Sequence, residues 1–121
     1  MKATKTILAV IAFIATTAAY AQQTTEKFIP IGMSPGVSGS LSYQGDVLSV
    51  DAGARSFSMQ ADGAAKTISV DADTRIWLDR SKVKKPNSDG SFGDLKSGQR
   101  IEVMYRPDDR SRADWIKIEF R

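Results

Sequence analysis

The chain has 121 residues, 41% hydrophobic and 26% charged, with 17 Lys and Arg against 14 Asp and Glu. It contains neither His nor Cys, which excludes Ser-His-Asp and Cys-His nucleophilic systems, His- or Cys-ligated zinc, disulfides and thiol redox chemistry. The length fits one small domain.

Lys2 and Lys5 precede an apolar stretch from Ile7 to Ile14, and small residues follow it to Ala19-Tyr20-Ala21. Charge, apolar run and Ala-x-Ala site in that order predict a signal peptide over residues 1–21, cleaved before Gln22. A membrane-spanning helix needs about 20 apolar residues, whereas Thr16 and Thr17 interrupt this run. The expected location is the periplasm or the exterior, with no transmembrane segment after cleavage. Without residues 1–21 the formal charge falls to +1, and the excess of base collects in residues 75–121.

Residues 22–36 read as an arm, because Pro30 and Pro35 hold the backbone extended. Phe28, Ile29, Ile31 and Met33 are apolar, so packing over one end of the domain is favoured above docking to a partner. A single domain then spans residues 37–121. Leu41, Tyr43 and Val47 share one phase of a strand while Leu48 and Val50 take the other, and Gly45 is read as a bulge between them. Strands follow at Arg55 to Gln60 and Lys66 to Asp71, joined by an Asp62-Gly63 hairpin turn. Thr74 to Asp79 continues the alternation, as a short strand or the end of the third.

Residues 80–98 break the pattern. A basic run from Arg80 to Lys85 leads into the loop Pro86 to Gly90, and one helical turn is expected near residues 94–97, with Asp94 as its cap, Leu95 as its buried anchor and Gly98 ending it in a left-handed conformation. Two strands close the chain, with Ile101, Val103 and Tyr105 inward on one and Ile116, Ile118 and Phe120 inward on the other. The predicted fold is all-β, a small closed antiparallel barrel of five or six strands, OB-like. A β-sandwich would use about seven strands in a similar length.

The stretch from Thr74 through Gly98, with Ile101-Glu102-Val103 and Ala113-Asp114-Trp115-Ile116-Lys117-Ile118, resembles a family of exported bacterial small β-barrel domains of unknown function. That family has a strand ending in Thr-x-Ile, a turn of the form Asp-Leu-Lys-x-Gly-Gln, a Val/Glu/Val strand and a last strand beginning with Ala. The resemblance covers roughly residues 37–121 and implies architecture; it carries over no catalytic residue. Phe28 to Gly36 falls outside the shared pattern.

Candidate chemistry is sparse. Asp71-x-Asp73 with Asp79 suggests a calcium loop, but that register puts Arg75 at a ligand position, Ile76 where Gly is needed and Lys82 where Glu is needed. Neither Asp71/Asp73 nor Asp108-Asp109 forms a carboxylate pair in a recognisable cleft. Met59 and Met104 with Trp77 or Trp115 are soft-metal candidates lacking the usual imidazole. No metal ligand set and no cofactor is assigned.

The candidate ligand-binding set is Arg75, Trp77, Arg80, Lys82, Lys84 and Lys85. Trp77 lies out of phase with Ile76 and Leu78, so an exposed indole beside these cations would suit a planar or sugar-like anion. The favoured reading of Trp77 is the blander one, in which loop 84–93 folds over it and Phe92 packs on it. The function expected is a non-enzymatic exported binding or accessory module for an envelope protein, anionic glycan or lipid head group. The alternatives are a small periplasmic enzyme using carboxylate or lysine chemistry, or a soft-metal barrel. The export signal and the small net charge weigh against nucleic acid.

Overall fold

Apolar and polar residues alternating in twos carry most of the chain into strands, and the structure, a computed structural model, describes residues 25–34 and 42–121. The expected signal peptide, residues 1–21, and Leu41 lie outside the described residues. Among the described residues seven strands share one sheet: β1 (Ser42–Asp51), β2 (Ser56–Ala61), β3 (Ala64–Ser69), β4 (Arg75–Asp79), β5 (Ser88–Asp89), β6 (Arg100–Arg106) and β7 (Asp109–Glu119). Their order is β3-β2-β1-β6-β7-β4-β5, and β3 also meets β7, in parallel, where Ser69 lies opposite Arg112. The fold is all-β as expected. The strand count exceeds the expected five or six because the two-residue β5 pairs with β4, and β4 runs parallel to β7 where an antiparallel set was expected.

β1 serves two neighbours, pairing with β6 over residues 42–46 and with β2 over residues 46–51. The chain turns between them at Gly45, where a Cβ would lie 1.7 Å from the Gln60 carbonyl oxygen. Gly45 is therefore required by close backbone approach. The bulge expected there falls between Val47 and Ser49 instead, where Leu48 is the extra residue and Val50 comes to lie opposite Phe57. Tyr43 and Val47 join the core, while Leu48 and Val50 are exposed. Asp62 (φ 53°) and Gly63 (φ 76°) are both left-handed, as a two-residue hairpin turn between Ala61 and Ala64 demands.

The inner side of the sheet is apolar: Phe57, Met59, Ile68, Ile101, Val103, Ile116 and Ile118 form its centre, with Ile76, Leu78 and Phe92 packed against it. In β7 the pairing slips, with Met104 opposite Trp115 but Tyr105 opposite Ala113. Asp114 is thus an extra residue, and beyond it Trp115, Lys117 and Glu119 alternate with the inward Ile116 and Ile118. Phe120, expected inward, is 44% exposed. The strand ends at Glu119, and the Phe120 N–H donates to the Asp79 carbonyl at 2.8 Å.

The helical turn expected at residues 94–97 forms two residues earlier, as a 3-10 turn at Phe92–Asp94. The Ser91 N–H donates to Asp94 Oδ2 at 2.8 Å, so Asp94 closes the turn behind it rather than capping one ahead. Leu95 is the buried residue that follows, and Gly98 has φ +88°, both as expected. A second 3-10 turn, Ser81–Val83, ends at the left-handed Lys84.

The two glycines separate steric from torsional cost. Gly45→Ala drives a methyl into backbone and is expected to lose about 3 kcal/mol or more, at the upper end of overpacking penalties. Gly98→Ala meets nothing within 4 Å and is expected to lose only about 1 kcal/mol for the left-handed backbone. Urea unfolding of both variants measures the difference, and equal losses would contradict this account.

Candidate functional site

The outer side of β4, β6 and β7 carries side chains of a different kind from the core. Trp77 and Asp79 project from β4, Glu102 and Met104 from β6, and Trp115, Lys117 and Glu119 from β7, each alternating with an inward residue. The indoles of Trp77 and Trp115 lie 5.8 Å apart between centroids, neighbours because β4 and β7 pair in parallel with Trp77 opposite Lys117.

Residues 25–34 cross this face as a strap. The Ile31 N–H donates to Asp79 Oδ2 at 2.9 Å and the Gly32 N–H to Glu102 Oε1 at 3.2 Å. Lys117 Nζ reaches Glu26 Oε1 at 2.7 Å and Ser34 Oγ at 3.1 Å, and stands 4.6 Å from the Trp115 ring centre. The Ser34 hydroxyl also donates to Glu26. At the far end Asn87 Nδ2 donates to the Lys27 carbonyl at 3.1 Å, and Lys27 pairs with Asp89 at 3.1 Å. The arm thus packs on its own domain, but through polar groups. Ile31 is buried, whereas Phe28 is 54% and Met33 67% exposed.

Lys117 is 0% exposed, and a charge removed from water must be paired. Its anion comes from the strap. Burial pushes the Glu102 carboxyl up, against the Gly32 N–H and Lys117, which pull it down. Burial also acts on Asp79, but the N–H groups of Ile31 and Ser81 outweigh it and hold that carboxyl below its ordinary range. With Glu26 and Ser34 on it, Lys117 has the contacts of a structural cation, whereas a lysine nucleophile needs a free amine facing substrate.

The sequence-predicted site residues separate. Trp77 is 5% exposed, and the cover expected over it is not the one found: Phe92 packs against the inner core and faces Arg55, 5.1 Å from its ring. Arg75 lines an open depression of about 530 Å³ with Arg106, Asp73, Asp108 and Asp114. Its two arginines face three aspartates, which disfavours an anion, and Arg106 is held by Asp71 at 2.8 Å. Asp71 serves as a turn hub, its carboxyl lowered first by the Asp73 N–H and then by Arg106 and Arg112. Arg80 Nε is taken by the Pro86 carbonyl at 2.8 Å, and Lys84 and Lys85 are exposed. Met59 lies in the core and Met104 on the outer face, so the two thioethers face opposite ways.

Lys82 reaches a cluster the sequence did not suggest. Its Nζ lies 3.2 Å from Glu119 Oε1, Arg121 Nε lies 2.9 Å from the same oxygen, and Arg100 approaches Oε2 at 3.9 Å. Glu119 is buried while the three cations are largely exposed. Burial pushes its carboxyl up, and the bonds from Arg121 and Lys82 more than reverse this. A depression of about 360 Å³ opens beside it, lined by Ser97, Gly98, Gln99, Phe120 and Arg121. Arg100 and Arg121 lie far from the basic run in sequence, and only the alternation placing Glu119 outward would have indicated them.

No family model and no curated protein matches this chain.

Two measurements check the strap. Because the folded state holds the Glu102 proton more tightly than the unfolded chain, wild-type stability is expected to rise as pH falls from about 7 toward the ordinary Glu range near 4.3. Glu102→Gln, which keeps an oxygen for Gly32, is expected to be more stable near neutral pH and to lose that slope, as urea melts across the window would record. Glu26→Ala leaves Lys117 without its partner, and the strap can lift to let water in. The expected cost therefore lies between the ~1 kcal/mol of a surface pair and the ~3–5 kcal/mol of a broken buried one. Tryptophan emission is expected to be blue-shifted and unquenched in the wild type, where both indoles are buried, and to shift red and become quenchable in the variant; an unchanged spectrum would show that the strap does not depend on this pair.

Proposed function

We propose that the chain is a non-enzymatic, exported binding module that holds an anionic component of the cell envelope at the cation cluster around Glu119. The observation that carries this reading is the cluster itself. One buried carboxylate organises three partly exposed cations, Lys82, Arg100 and Arg121, and Arg121 and the carboxylate itself line a depression. Three positive charges on one negative leave an excess of two, and cations already positioned by a fixed anion lose little freedom when a second anion arrives. The charge order and the Ala-x-Ala site of residues 1–21 support export, and the lack of His and Cys supports a non-enzymatic role.

The fold belongs to the same proposal. The pairings β1-β2-β3-β7-β6-β1 return on themselves, and we read that ring as a small OB-like barrel, with β4 and β5 added beside β7. Such a ring is consistent with the resemblance to exported bacterial barrel domains.

A sulfated or phosphorylated polymer is expected to raise the melting temperature, by on the order of 10 °C when present at about a hundredfold excess over Kd. Lys82→Gln with Arg121→Gln is expected to abolish the shift, and Arg75→Gln to leave it intact. A thermal melt of the three proteins decides the matter. No shift in the wild type, or an equal shift in all three, would overturn the proposal.

A further inference from the structure

The strap carries a feature that its latch does not explain. Phe28 and Met33 are large, apolar and exposed, on a segment whose backbone is tied down at Lys27, Ile31 and Gly32. Isolated exposed apolar residues are ordinary on protein surfaces. These two share one short, anchored segment, with Lys27 5.4 Å from the Phe28 ring and further cations near its anchor points. At the Phe28 end, Asn87, which holds the Lys27 carbonyl, directly follows Lys84, Lys85 and Pro86. In the middle, Asp79 takes the Ile31 N–H on one oxygen and the Ser81 N–H on the other, which places Lys82 beside the strap. At the Met33 end, a Cβ on Gly32 would lie 3.7 Å from Arg100 Nη2.

We infer that the strap and its basic border form a docking surface for an anionic lipid bilayer, with Phe28 and Met33 entering the headgroup region and Lys82, Lys84, Lys85 and Arg100 meeting the phosphates. This rests on the proposed anion-binding function and names its ligand. Charge complementarity selects an anionic surface, and the apolar pair selects a lipid one, because free phosphate gains nothing from either side chain and a glycan, which could stack on the Phe28 ring, has no comparable use for Met33. Two weak signals together are what reversible membrane attachment requires, since neither a few cations nor two apolar side chains hold a protein alone. The segment's polar bonds to Asp79, Glu102 and Lys117 keep the apolar pair on the outside, where an unanchored arm would fold it inward.

Sedimentation of the chain beginning at Gln22, which contains every described residue, with vesicles tests this. Binding is expected to vesicles of phosphatidylglycerol in phosphatidylcholine, not to phosphatidylcholine alone, and to fall as salt is raised. Phe28→Ser with Met33→Ser is expected to remove most vesicle binding while leaving the melting temperature and the response to dextran sulfate unchanged. Lys84→Gln and Lys85→Gln are each expected to weaken partition about fivefold. Stabilisation by dextran sulfate without vesicle binding would overturn the lipid docking and leave the anion-binding function standing; loss of both would overturn both. Vesicle binding that ignores the Phe28 and Met33 substitutions would also overturn the assignment of the strap as the membrane face.

Discussion

An ammonium group with no access to water sits on the outward side of β7, and much of the outer face follows from how it is neutralised. Lys117 lies opposite Trp77 on one neighbour and Glu102 on the other, so the sheet surrounds it with indole and carboxylate but leaves its tip for something further. Glu26 and Ser34 fill that place. Because both come from the strap, the buried charge fixes where residues 25–34 run. The strap's backbone then meets the two remaining demands, Asp79 and Glu102, with the N–H groups of Ile31 and Gly32. A buried ion pair adds little net stability compared with an apolar pair; here it chooses one position for a segment that has only one buried apolar anchor, Ile31, among its described residues.

The two sides of the β4–β7–β6 wall therefore have different chemistries. Inside, branched aliphatics from alternate positions pack against Phe57 and Met59, and the interior is held by area removed from water. Outside, each strand contributes one buried acid, and Lys117, the only fully buried base among the described residues, acts on two of them, Asp79 and Glu102. The extra residue at Asp114 produces this division in β7. It lets Ala113 fit beneath Tyr105 and then sets Trp115, Lys117 and Glu119 outward. Without that slip, the strand would present its isoleucines to the strap and its charges to the core.

The strands, the Asp62-Gly63 turn, the buried Leu95 and the left-handed Gly98 were legible because each depends on neighbours within a few residues. The 3-10 turn was displaced because Ser91 and Asp94 bond to each other, which competes with Asp94 as a forward cap. Gly45 was recognised as special for the wrong reason, since the oxygen it must avoid belongs to Gln60 on another strand. The strap was read from its apolar residues, whereas its polar ones determine its path. Nothing local in Glu26 or Ser34 shows that a lysine 91 positions away from Glu26 needs them. Trp77 was correctly placed opposite Ile76 and Leu78, and the loop expected near it does pair with β4 there, Asp89 opposite Trp77, but Phe92, expected to pack on the indole, turns inward. The cation cluster was half legible: Lys82 belongs to a visible basic run, while Arg100 and Arg121 become its neighbours only through strand pairing and the end of β7.

Burial also sorts the charges by sign, and this bears on what the surface presents. Among the described residues the buried charged side chains are Asp79, Glu102, Lys117 and Glu119, three acids and one base. The formal charge of +3 therefore understates how positive the exposed set is. The buried acids do not vanish electrically, but their oxygens are spent on backbone N–H groups and on the cations they hold. Those cations keep much of their own surface: Lys82, Arg100 and Arg121 are 58%, 46% and 69% exposed at the side chain while Glu119 is 4%. An approaching anion meets the guanidinium and ammonium groups first and the carboxylate only through them. A modestly charged chain can in this way present a locally positive face, because the fold, more than the composition, decides which charges reach solvent.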